Sequence, residues 1–141
     1  MKRFEFLELA TADVIYRAYG KSLSGAFENA ALALSEVMIN TSQVRPVVEK
    51  LVKVTGEDLK SLLFNWLNEL LYLVDSEGLA FSRFTVKLNE AKPELSAKLA
   101  GEKIDPDRHE LRTEVKACTY HKMEVRPAKQ GKAWVQVLLD I

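Results

Sequence analysis

One cysteine, two histidines and no glycine-rich signature are all that this 141-residue chain offers to the commonest kinds of active-site chemistry. Cys118 stands alone, so it closes no internal disulfide and has no second thiol for a cysteine-based zinc site. His109 and His121 fall in neither a His-Glu-x-x-His spacing nor a paired Cys/His arrangement, which argues against a zinc enzyme. The dinucleotide fingerprint, the phosphate loop and the nucleophile elbow are all missing, and the enzyme classes built on them lose their support. Charge of one sign is missing too: 20 Lys and Arg balance 20 Asp and Glu. The chain therefore lacks the basic surplus that drives phosphate-backbone binding, and any contact with nucleic acid is expected to be indirect. No run reaches about 18 apolar residues, and Glu5, Glu8 and Asp13 interrupt the N-terminal stretch where a secretion signal would need to be apolar. A cytoplasmic protein with no membrane span, in a reducing compartment, is expected.

What is present suits one globular domain over residues 1–141. The composition is 48% hydrophobic and 28% charged, and a chain of this length buries roughly two-thirds of its unfolded surface without disulfides or a structural metal. Leu23, Phe27, Ala30, Leu34 and Met38 recur at three- and four-residue spacing and predict a first helix, with Ser22 as its N-cap. Leu59, Leu62, Leu63, Trp66, Leu67, Leu70, Leu71 and Val74 form the wide face of a second, started by Gly56 to Asp58 and stopped by Gly78. Elsewhere the pattern has period two: VIYRAYG, VEKLVKV, FSRFTVKL, ELSAKLAGEKI, EVKACTYHKMEV and KAWVQVLLDI. Four strands in succession after the second helix favour antiparallel hairpins over repeated βαβ units. The expected fold is α+β: one mixed, mostly antiparallel sheet of about six or seven strands, with two amphipathic helices packed on one face.

Few residues stand out as chemical candidates. Alternation in EVKACTYHKMEV puts His121 in an apolar row with Ala117, Thr119 and Met123, where a hydrogen-bonded structural histidine is expected. Cys118 points the other way and reads as a small filler, and His109, in GEKIDPDRHE, as a turn residue near Asp105. Asp75 and Glu77 end the second helix, where carboxylates oppose the helix dipole, which makes them candidates for a positioning or binding role. Asp13 and Asp140 flank strand cores, and Ile141 follows Asp140 directly. If the first and last strands are neighbours, Asp13, Asp140 and the terminal carboxylate converge on an oxygen-only site suited to calcium or magnesium. Strand-end aspartates also satisfy turn amides, which is the plainer reading.

Blocks spread along nearly the whole chain resemble the archease family. They are TAD (Thr11 to Asp13), AYG (Ala18 to Gly20), AFENAALAL (Ala26 to Leu34), GEDLKSLLFNWLNELL (Gly56 to Leu71), EGLAFSRF (Glu77 to Phe84), GEKIDPDRHE (Gly101 to Glu110), EVKACTYH (Glu114 to His121) and the terminal LLDI. The resemblance implies a protein without catalysis of its own that promotes guanylylation and multiple turnover of an RtcB-type tRNA-splicing ligase and alters its nucleotide choice. Transfer RNA is then met only through the ligase. It also implies a bound divalent cation, usually calcium, or else magnesium or manganese, held by Asp13, Asp140 and Ile141. Two positions depart from the family pattern: Ala10 stands where a histidine commonly precedes TAD, beside an apparent extra residue in ELATAD, and Ile15 stands where glycine is usual. The competing readings are a metal-dependent hydrolase or nuclease, and a general chaperone or RNA-binding module, for which a basic, aromatic-studded strand face is expected.

Overall fold

The computed structural model, which describes residues 1–141, has seven strands and two helices. They are β1 (Phe4–Leu9), β2 (Asp13–Gly20), α1 (Leu23–Met38), β3 (Val48–Thr55), α2 (Leu59–Glu77), β4 (Leu79–Asn89), β5 (Glu94–Lys103), β6 (Ala117–Lys129) and β7 (Lys132–Asp140). Both helices begin on the expected caps. Ser22 Oγ accepts the Gly25 amide at 3.3 Å, and Asp58 exchanges hydrogen bonds with Ser61 in a capping box, each bond satisfying a first-turn donor that has no partner within its helix. Gly78 closes α2 at φ 65°, a left-handed turn that costs glycine nothing.

The single mixed sheet does not form. The strands divide into a four-stranded sheet of order β1-β2-β7-β6 and a three-stranded sheet of order β3-β5-β4, and every pairing is antiparallel. The reason lies at the outer edge of β4, where the Val86 amide donates to Glu28 at 2.8 Å and the Leu88 amide to Ser24 Oγ at 3.1 Å. Side chains of α1 thus occupy the positions through which β4 would join another strand. Helix α2 does the same elsewhere: Asn68 bonds both the amide (3.1 Å) and the carbonyl (3.3 Å) of Cys118 on β6, and Asn65 donates to the Thr55 carbonyl of β3 at 2.8 Å.

The inner faces of both sheets and the apolar stripes of both helices share a cluster of 32 buried residues. Two buried polar groups tie its layers together. Tyr16 Oη on β2 donates to the Ala30 carbonyl at 2.8 Å, and the Trp66 indole donates to the Phe27 carbonyl at 3.1 Å, so neither aromatic leaves an unsatisfied donor. Burial pushes the Tyr16 phenol well above its ordinary value. Gly101 of β5 leaves no room for a side chain against β4: a Cβ there would lie 1.8 Å from the Ala80 carbonyl oxygen, next to the register shift between Phe81 and Arg83.

Strand β6 departs from the predicted alternation. Thr119 faces Leu138 and Glu124 faces Gln136, so Tyr120, His121, Lys122 and Met123 bulge opposite Val137 alone, with Lys122 at φ 56°. The bulge changes the phase of the strand. Cys118 and Met123 both enter the core, while His121 is exposed instead of standing in an apolar row. Tyr120, also exposed, stacks on Phe64 with ring centroids 4.1 Å apart.

The segment between β5 and β6 is pinned at Glu102. Its carboxylate accepts the Arg108 guanidinium, the Arg45 amide at 2.7 Å and His109 Nε2 at 3.1 Å. His109 is buried, and its Nδ1 accepts the Asp105 amide at 2.9 Å, so the expected turn role holds. Arg108 foremost, then the Arg45 amide, holds the Glu102 carboxyl at about 2, down from 4.5. A carboxyl depressed on folding contributes stability above its unfolded value, which is lost as pH falls through the folded one. Glu102→Gln is therefore expected to lower the urea midpoint at neutral pH, with the gap from wild type closing between pH 4.5 and about 2. A gap that stayed constant over that range would show that the carboxylate's charge plays no part.

Candidate metal centre

Strands β2 and β7 pair without interruption from Asp13 opposite Asp140 to Gly20 opposite Ala133. The Ile141 amide donates to the Ala12 carbonyl at 3.0 Å, so residues 12 and 141 form a bonded rung and the aspartates fall between rungs. Pairs in that position bring their Cα atoms to ~4.5 Å, with side chains on one face and closer than in a bonded pair. The face is the outer one. Val14, Tyr16 and Ala18 of β2 and Val135, Val137 and Leu139 of β7 point into the core, which sends Asp13 and Asp140 outward by alternation.

Two carboxylates directly opposite each other repel, and nothing from the protein offsets this. Asp105 accepts the Asp107 amide and Glu36, Glu77, Glu102, Glu110 and Glu124 have basic partners, but Asp13 and Asp140 take neither a hydrogen bond nor an ion pair. The turn-amide role is thus not the one these side chains have. An oxygen-only pair suits a hard cation such as calcium or magnesium. No group of three His, Cys, Asp or Glu side chains is arranged to hold a metal, and Ile141 is the residue that follows Asp140 at the end of β7. The carbonyls of Ala12, Asp13 and Asp140 each already accept an amide, from Ile141, Ala10 and Lys116 at 2.8 to 3.0 Å. A cation held here would complete its shell mainly from water or from another molecule.

The departures in the N-terminal segment leave this geometry intact. The irregularity is taken up in β1, where Phe6 faces Tyr16 and Glu8 faces Ile15, leaving Leu7 as a bulge. Ile15 lies beside Leu138 on the outer face, and both are buried. The remaining candidates do not join the pair. Glu77 is bonded to Lys50 at 2.5 Å and Asp75 is exposed, both at the far end of α2, and Cys118 is a core filler whose thiol burial pushes up to about 12. Sequence reading did not single out Arg17, Arg126 and Trp134, on the same outer face, where the two guanidiniums lie 4.3 and 5.7 Å from the indole centroid. The period-two pattern would have shown them had the strand order been known.

Fold and rim together define a class: an α+β domain of two antiparallel sheets whose most distinctive polar feature is a cross-strand aspartate pair. Residues 4–141 match the archease protein family (MTH1598/TM1083). The archease of Sulfurisphaera tokodaii is 50% identical over 125 residues, covering 89% of each chain, and that of Pyrococcus abyssi 46% identical over 143 residues, covering both chains fully. The solution structure of Methanobacterium thermoautotrophicum protein 1598 superposes with a TM-score of 0.85, at 45% identity and with both chains covered in full. The chain belongs to the archease family.

Removing one charge from the pair tests its geometry. In chelator-treated protein, Asp13→Asn is expected to raise stability by roughly 0.2–1 kcal/mol, the scale of one cross-strand pair. A lower melting temperature for that variant would mean that the carboxylate is needed by the turn after all.

Proposed function

We propose that this protein acts on an enzyme and catalyses no reaction itself: in the cytoplasm it activates an RtcB-type tRNA-splicing ligase, promoting transfer of GMP onto the ligase's active-site histidine and allowing many turnovers. The observation that carries this reading is the match to the archease family over residues 4–141. The aspartate rim supports it. Asp13, Asp140 and the Ile141 carboxylate are the proposed ligands for calcium, or for magnesium or manganese in its place. The cation would supply positive charge to phosphate oxygens. The protein's own groups would orient that charge at an exposed sheet end, where a second protein can approach. An activator works by favouring one state of its partner, and a difference in affinity of about 1.4 kcal/mol shifts such an equilibrium tenfold. The same contact would alter the ligase's nucleotide choice by changing how the nucleotide is held.

Substoichiometric amounts of the protein are expected to convert the ligase from few ligations to many in the presence of GTP, and to leave RNA unchanged when the ligase is absent. Asp13→Ala or Asp140→Ala is expected to abolish this stimulation, while the circular-dichroism spectrum stays that of wild type, since both side chains lie outside the core. Stimulation unaffected by either substitution would remove the rim from the mechanism; no stimulation at any metal concentration would remove the ligase.

Ile141 is tested separately. Residues added after it turn its carboxylate into a neutral amide, which still offers an oxygen but no charge. A C-terminal extension is expected to weaken calcium binding, measured by titration calorimetry, more than an N-terminal extension does. Equal affinities would leave Asp13 and Asp140 without the third ligand.

A further inference from the structure

The balance of 20 basic and 20 acidic residues conceals a separation of charge. On the outer face of the three-stranded sheet, Lys53, Ser96 and Lys87 form one row across β3, β5 and β4. Leu51, Lys98 and Thr85 form the next row, and Glu49, Ala100 and Arg83 the third. The first two rows line an open groove of about 480 Å³. On other surfaces Lys2, Lys50, Arg108, Arg112 and Arg126 have a carboxylate partner, and most remaining cations, Lys21, Lys60 and Lys92 among them, have none. Here only Lys98 has one, Glu49 at 3.6 Å, while Lys53, Lys87 and Arg83 are exposed without an ion pair. Lysines on outermost strands discourage sheet extension. That need does not reach Lys98 on the central β5, and Glu49 is the one carboxylate among the five charged side chains of these rows.

Spacing indicates the kind of anion. Lys53 and Lys87 lie two strand widths apart, ~10 Å, and successive rows are ~7 Å apart along the strands. These cations are too dispersed to close on one small anion and repeat as the charges of a polyanion do. The Ser96 and Thr85 hydroxyls between them are of the type that bonds phosphate oxygens. A membrane-binding face would bury a broad apolar surface, and Leu51 is the one large apolar side chain exposed in these rows.

We infer that the outer face of the three-stranded sheet binds the phosphate backbone of RNA through Lys53, Lys87, Lys98 and Arg83, without reading base sequence. This goes beyond the role proposed above, in which RNA is met only through the ligase, and it is tested without the ligase. Fluorescence anisotropy of a labelled single-stranded RNA with the full chain, titrated at increasing KCl, is expected to show binding. Its log–log salt slope should be about −2 to −3, from three or four phosphate contacts. Lys53→Glu/Lys87→Glu should weaken binding at least tenfold and Lys53→Gln/Lys87→Gln by less, each variant first shown to melt as wild type does. Lys21→Glu/Lys60→Glu carries the same change in net charge on other surfaces and should bind nearly as wild type. No binding at low salt, or equal loss from both charge-reversed variants, would overturn the assignment. So would retention of phosphatidylserine vesicles or polyglutamate in place of RNA.

Discussion

The ladder between β2 and β7 is the constraint on which the remaining structure depends. It pairs Asp13 through Gly20 with Asp140 through Ala133, so that Val14, Tyr16 and Ala18 meet Val135, Val137 and Leu139 on the core side. A slip of β7 by one residue would turn Val135, Val137 and Leu139 outward and drive Trp134, Gln136 and Asp140 inward, a loss of several kcal/mol in burial alone. The core therefore enforces the opposition of Asp13 and Asp140 even though the opposition is itself unfavourable. Two like charges are held together because fourteen neighbouring residues leave them no other register.

Most of the fold could be read from the amino-acid pattern, because local physics decides it. Ser22, Asp58 and Gly78 mark helix ends through bonds made within a few residues, and the apolar stripes of α1 and α2 face the core as spaced. The alternation of β7 was legible as well, and Ile141 packs half-buried against the core. What could not be read depends on partners distant in the chain. Whether β4 joins the other sheet turns on Glu28 and Ser24, some sixty positions away. The bulge at Lys122 carries no glycine or asparagine to announce its positive φ, so alternation continued on paper past the point where the strand breaks phase.

The candidate site shows the same division. That Asp13 and Asp140 are strand-end carboxylates is a local fact, whereas their meeting required the first long strand and the last to be neighbours. The charged face of the three-stranded sheet was invisible for a related reason: summed composition is neutral, and only the register of β3, β5 and β4 gathers Lys53, Lys87 and Lys98. Carboxylates at one rim and cations on another sheet give a molecule that is neutral overall yet offers surfaces of opposite character.

Asn68 is the residue through which α2 reads the backbone of β6, its amide group meeting the N–H and C=O of Cys118 together. A carboxamide is the only side chain of that length that offers a donor and an acceptor side by side. Aspartate has the same shape but would set an acceptor against the Cys118 carbonyl, and leucine would leave both backbone groups of a strand edge unanswered. Over evolutionary time, position 68 should accept a far narrower set of residues than its partial exposure suggests, and should drift only when the chain around Cys118 drifts with it.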